Sequence, residues 1–157
     1  MSEKWGYISP KGKVVIRPAW DEAEPFSEDG LAVVAQDSLY GYINRKGKLI
    51  IDTVWEDAIE FIDGYAMVSE GGKWGAIDVT GKVCVPVTWN DISRHSEGYF
   101  SVSGPDGLWG FVNTEGNLVV PCQYKQVNLF TDGCAEVWPD DEGESIWINT
   151  EGAIICP

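Results

Sequence analysis

Catalysis requires a nucleophile, a base or a metal-ligand set held in mutual reach, and the 157 residues of this chain offer few candidates. His95 is the one histidine. It stands in a column filled elsewhere by Phe26, Phe61 and Phe130, so it is expected to pack as an aromatic replacement with one ring nitrogen hydrogen-bonded. The run Gly75-Ala76-Ile77-Asp78-Val79-Thr80-Gly81-Lys82 superficially suggests a phosphate-binding loop. It has five residues between its glycines where that loop has four, and Val83 follows where Ser or Thr must meet magnesium. The same spacing from Gly6 to Lys13 marks it as a recurring turn. No Gly-x-Ser-x-Gly elbow, His-Glu-x-x-His helix or calcium-loop pattern is present.

Cys84, Cys122, Cys134 and Cys156 are separated by 38, 12 and 22 positions, with no Cys-x-x-Cys pair, which gives neither a zinc knuckle nor a redox dithiol. Three of them sit in apolar segments and read as small core residues. Glu22, Asp57 and Asp91 share one column, and acids repeated in a column cap turns or face solvent more readily than they form a catalytic pair. The chain is therefore expected to be no enzyme, and to need neither cofactor nor metal.

The formal charge of -14, with 25 acids against 11 bases, argues against binding a phosphate backbone or an anionic membrane surface. It suits a basic protein partner through long-range steering, and it equally keeps a chain soluble. No run approaches the length needed to cross a bilayer, and Met1-Ser2-Glu3-Lys4-Trp5 lacks a signal-peptide core. The expected compartment is the cytoplasm. Eight Trp beside eighteen Gly pair large rings with permissive backbone, as sheets joined by tight turns require.

The elements that must position these residues are set by a repeat. Lys4-Trp5-Gly6-Tyr7-Ile8 recurs as Tyr40-Gly41-Tyr42-Ile43, Trp74-Gly75-Ala76-Ile77 and Trp109-Gly110-Phe111-Val112, with a degraded fifth copy, Ser145-Ile146-Trp147-Ile148. The steps from Trp5 are 35, 34, 35 and 36 residues. A second glycine follows at 12, 47, 81, 116 and 152, then an apolar run such as Val14-Val15-Ile16 or Leu118-Val119-Val120. These are two strands and their turn. Further on come the aromatic column Trp20, Trp55, Trp89 and Tyr124 and an acid-glycine pair (Asp29-Gly30, Asp63-Gly64, Glu97-Gly98, Asp132-Gly133). A third strand follows, as in Leu31-Ala32-Val33-Val34. Its middle column drifts from Val33 to Met67, Ser101 and Glu136, which predicts a solvent-facing row, while Ile8, Ile43, Ile77, Val112 and Ile148 predict an inward one.

With its Trp-Gly start, the Gly-Lys turn (Gly12-Lys13, Gly47-Lys48, Gly81-Lys82) and the acid-glycine pair before an Ala-Val strand, the chain resembles the WG (KWG) repeat family. The resemblance covers essentially the whole chain. It implies a β-rich, mostly bacterial protein whose architecture is a repeat. The expected organisation is a single WG-repeat domain over 1–157, with repeats near 4–39, 40–73, 74–108 and 109–144 and a terminal hairpin at 145–157.

The expected fold class is all-β: an open tandem-repeat stack, β-solenoid-like, of about four and a half three-stranded antiparallel meanders. The alternative is a β-propeller-like ring. Both ends of the chain are hairpins of the same phase, whereas a ring closes by joining complementary strands, so the open stack is preferred.

A stack offers one extended surface, which suits a non-catalytic protein-interaction or scaffolding module. The candidate partner-binding stripe is Trp20, Trp55, Trp89 and Tyr124 with Glu22, Asp57 and Asp91, an aromatic-acidic row suited to cationic segments. The same rings are also the residues large enough to fill the space between repeats. Two other functions remain open: a carbohydrate or cell-envelope binder using exposed aromatics, and an immunity-type protein that neutralises a basic toxin.

Overall fold

A computed structural model describes residues 3–155. All regular structure there is β. A two-stranded hairpin, β1 (Trp5–Ile8) and β2 (Val14–Trp20), comes first. Four antiparallel four-stranded sheets follow in tandem. The first joins β3 (Glu22–Ala23), β4 (Leu31–Gln36), β5 (Leu39–Asn44) and β6 (Leu49–Trp55). The next joins β7 (Asp57–Ala58), β8 (Tyr65–Glu70), β9 (Lys73–Asp78) and β10 (Val83–Trp89). The third joins β11 (Asp91–Ile92), β12 (Tyr99–Ser103), β13 (Trp109–Asn113) and β14 (Leu118–Tyr124). The last joins β15 (Gln126–Val127), β16 (Cys134–Trp138), β17 (Ile146–Asn149) and β18 (Ile154–Ile155). Strands in each sheet are paired in chain order, and no sheet of the described residues closes into a barrel, as an open tandem-repeat fold requires.

Each sheet thus takes the strand after the acid-glycine pair from one sequence repeat and the hairpin from the next. The meander expected from sequence has three strands, and the structure adds a fourth of two residues. That strand arises where the Glu22-Ala23 segment, rather than looping through solvent, pairs with Ala35 and Val34. The pairing satisfies backbone groups of an otherwise unpaired edge.

The Trp-Gly pair is explained by the hairpin register. Trp5 lies opposite Trp20, Tyr40 opposite Trp55 and Trp109 opposite Tyr124, so the first aromatic of each motif faces the later aromatic column across the strands. Between this pair and the next, the longer strand bulges: Trp5 faces Trp20 but Tyr7 faces Ile16. The bulge folds directly over the glycine. A Cβ at Gly41 would lie 2.5 Å from the Ile51 carbonyl oxygen, and at Gly110 2.4 Å from that of Val120. Only glycine leaves room for this approach.

The turn glycines have a second task. Gly47 and Gly81 have positive φ, and a Cβ on them would lie 3.1 Å from Ile16 and Ile51 of the preceding sheet. Gly12 has the same φ with open space around it. The turn of one repeat therefore rests on the branched side chain of the one before.

The described residues divide into two compact units where the sequence reading treated 1–157 as one domain. One runs to Gly71 and includes Ile77–Lys82, and the other comprises Gly72–Ala76 and the chain from Val83 onward. In the first, Ile16, Ala32, Val34 and Ile43 form the core, with Tyr7, Trp20 and Phe26 against it. In the second, Phe111, Val120, Tyr124, Phe130, Ala135, Val137 and Ile148 do so.

Both faces of the strand Leu31–Gln36 are largely covered, which corrects one expectation. At Val33 and Ser101 the column predicted to face solvent does not, both residues being 3% exposed, while Met67 and Glu136 are half-buried. The whole run Leu31–Ala35 is buried, because the following repeat covers the face that alternation had assigned to water. The inward row holds for Ile43, Ile77, Val112 and Ile148, each 0% exposed, but Ile8 of the first hairpin is 67% exposed.

Candidate functional site

The rings of the candidate stripe turn inward. Trp55 and Tyr124 are buried, and Trp20 and Trp89 are half-buried. The indole N–H groups of Trp55 and Trp89 are buried without a hydrogen-bond acceptor, so these rings serve as packing volume. As a surface row, the aromatic half of the stripe is therefore corrected by burial: the cross-strand register that pairs Tyr40 with Trp55 and Trp109 with Tyr124 holds the rings between strands and the next repeat.

The acids of the same stripe are exposed. Glu22 accepts a hydrogen bond from the Tyr40 hydroxyl at 3.0 Å. Asp57 accepts from the Ala58 N–H at 2.9 Å and Asp91 from the Ile92 N–H at 2.8 Å. All three partners are neutral, so the negative charges are oriented by the short edge strands but not cancelled. Asp21 differs, since the Lys4 ammonium donates to it at 2.5 Å and the Asp37 N–H at 2.9 Å. That pairing holds its carboxyl below the usual carboxylate range. The bond to Glu22, with burial and the charges of Glu22, Asp57 and Glu24 adding, pushes the Tyr40 phenol up.

His95 packs as expected: its ring centroid lies 5.4 Å from that of Phe100, and Nε2 accepts the Gly98 N–H at 3.0 Å. Cys84, Cys122 and Cys134 are half-buried, and burial pushes the Cys122 thiol up, away from the thiolate a nucleophile needs. Cys156 lies outside the described residues. Among the described residues no three His, Cys, Asp or Glu side chains converge in a way that could hold a metal ion. No helix long and apolar enough to cross a membrane is present among the described residues.

Sequence reasoning missed the links between repeats. Tyr7 Oη donates to the Glu24 carbonyl at 2.7 Å, and Tyr42 Oη to that of Ile59 at 2.8 Å. The Glu97 carboxylate accepts from the N–H groups of Asp132 and Gly133 at 2.7 and 3.0 Å, 35 and 36 residues on. Asp29 likewise accepts from Gly64 at 3.2 Å. Each acid-glycine pair also sits in a turn of its own. Asp63, Glu97 and Asp132 do adopt positive φ of 52° there. Their spacing of one repeat was the available signal, since a side chain that tops one turn lies over the next when copies superimpose.

These features define an all-β tandem-repeat protein whose interior consists of repeat-to-repeat contacts. The profile of the "WG containing repeat" family matches residues 5–40, 40–74, 74–103 and 109–137, and the chain belongs to that family. No curated protein matches it. Among solved structures it resembles the computationally designed Ika8 protein, with a TM-score of 0.52 and 9% identity over 93% of this chain and 52% of that one. The chain thus spans about half the length of that design, and the likeness is one of fold. A protein of unknown function from Bacteroides caccae aligns at a TM-score of 0.37 and 16% identity, covering 98% of this chain and 74% of the other.

Proposed function

We propose that the chain is a non-catalytic interaction module that recruits a basic segment of a protein partner through carboxylates at the edges of its sheets. The observation behind this reading is that Glu22, Asp57 and Asp91 are exposed and bonded only to neutral groups. Their charge remains available to Lys and Arg of a partner, and the net charge of -14 steers such a partner from a distance. The aromatic rings contribute stiffness rather than contact, because they are held between strands. The same chemistry serves an immunity-type protein against a basic toxin or an intracellular scaffold. The reading is tested by replacing Glu22, Asp57 and Asp91 together with Lys and titrating a basic peptide such as oligolysine. Association should slow by about tenfold or more and lose its salt dependence while the fold persists. Unchanged affinity at low and high salt removes the proposal.

A further inference from the structure

The same position between successive repeats forms a cleft in both units, and its lining differs. In the first unit a cleft of about 440 Å³ is lined by Glu24, Pro25, Val33, Ala58, Ile59 and Glu60. In the second, a cleft of about 330 Å³ has Ser93, Ser101, Val127, Asn128 and Leu129 at the columns of Glu24, Val33, Ala58, Ile59 and Glu60, with Trp109 and Gln126 completing it. Both carboxylates of the first cleft are thus replaced, one by a hydroxyl and one by an apolar group, and two branched apolar side chains become a hydroxyl and an amide. No charged side chain lines the second cleft.

We propose that this second cleft is a binding site for one neutral sugar ring, with Trp109 as its apolar wall and Gln126, Asn128 and Ser101 as its polar contacts. A pyranose presents C–H faces and a rim of hydroxyls that both donate and accept, and an indole beside amides and hydroxyls matches it without the desolvation cost of a bound charge. The volume sits at the small end of the range of about 300–1,000 Å³ typical of ligand pockets, so one ring fits rather than a chain.

The polar groups are partly preset. The Ser93 oxygen accepts from both the Ser101 N–H, at 3.0 Å, and the Ser101 hydroxyl, leaving the Ser101 oxygen as an acceptor. The Asn128 amide nitrogen donates to Glu136 at 3.3 Å, which leaves its oxygen for a ligand hydroxyl. The Ser145 hydroxyl donates to the same Glu136 carboxylate, fixing it behind Asn128. Ser101 is 3% exposed, so its hydroxyl belongs to a cleft wall rather than to a solvated surface. This inference does not depend on the protein partner proposed above, which would use the exposed carboxylates instead.

The experiment is a titration of the full chain with the methyl glycosides of glucose, galactose, mannose and N-acetylglucosamine, followed by the Trp109 indole and the Gln126 and Asn128 side-chain amide signals in NMR spectra. At least one glycoside should shift these signals saturably. A double variant, Ser101→Val with Asn128→Ile, installs what the first unit already holds at those columns and should weaken binding by about tenfold or more. Trp109→Ala should abolish it, and the double variant keeps the test valid if that chain fails to fold. The proposal is overturned if none of the four sugars shifts these signals at tens of millimolar, if the shifts fall elsewhere on the chain, or if the folded double variant binds as tightly as the parent.

Discussion

The two compact units build the same sheet but join their repeats with different atoms. In the first, tyrosines do the joining: Tyr7 and Tyr42 pack at an angle against Phe26 and Phe61, with centroids 4.7 and 4.8 Å apart, and donate their hydroxyls to backbone carbonyls of the next connection. In the second, Phe111 packs at an angle against Phe130 at 4.5 Å without a hydroxyl to give. The missing hydroxyl bond is supplied from another place, where the Ser96 hydroxyl donates to the Phe130 carbonyl at 2.8 Å. The carboxylate tie keeps its column, Asp29 to Gly64 in the first unit and Glu97 to Asp132 and Gly133 in the second. A repeat interface therefore asks for apolar volume at fixed columns and for a polar tie somewhere along its rim. The volume and the carboxylate recur in register while the hydroxyl tie is free to move.

That comparison can be broken most forcefully at the element both units share. Gly41→Ala in the first unit and Gly110→Ala in the second should each cost about 3 kcal/mol, because the new methyl meets backbone that cannot step aside. Urea unfolding of the two variants measures this, and a loss in only one unit means the bulge is not a common device. Next, Tyr42→Phe should cost about 1.5 kcal/mol, since it leaves the Ile59 carbonyl without its donor in a part-buried site. Thermal melts would show an effect near zero if the stack alone holds that interface.

A smaller effect is expected for Glu97→Gln. It keeps one acceptor and removes the charge that two N–H groups share, for a loss of about 1 kcal/mol. Hydrogen exchange at Asp132 and Gly133 should quicken with it, and unaltered exchange there would detach Glu97 from the tie.

The smallest effect at neutral pH is expected for Asp78→Asn. Asp78 accepts from the Thr80 hydroxyl and the N–H groups of Thr80 and Lys82, and the hydroxyl bond above all holds its carboxyl below the usual range, against the opposing effect of burial. Its contribution to stability is therefore present above the ordinary carboxylate range and lost as pH falls through the lowered value. The equivalent turns of the second unit carry Asn113 and Asn149, which make the same backbone bonds without a titrating group. The variant should leave neutral stability almost unchanged and flatten its decline in acid, as melts across that range would reveal. A decline of the same steepness places the acid sensitivity elsewhere.

Much of this was legible in the residues. The Trp-Gly columns marked the hairpins, and the shared phase of the first and last hairpins favoured an open stack over a ring. The candidate stripe was half legible: Glu22, Asp57 and Asp91 are exposed acids as read, but the same column periodicity cannot say on which side of a ring its neighbour lies. The solvent-facing assignment of the Val33 to Ser101 column failed for a related reason. A Ser beside a Val looks like a wet row, and here it lines a cleft between repeats.

What sequence alone determined is the period, the strands and the places where glycine is obligatory, because turn geometry and β-pairing are local and repeat with the chain. What only the tertiary structure decided is which face of each sheet is covered, which acid reaches the turn one repeat away, and which columns enclose a cleft. Those depend on one sheet lying against the next, and the same side chain is core or surface according to what is placed over it. Ile8 and Ile43 occupy one column, and one is open to water while the other is sealed from it.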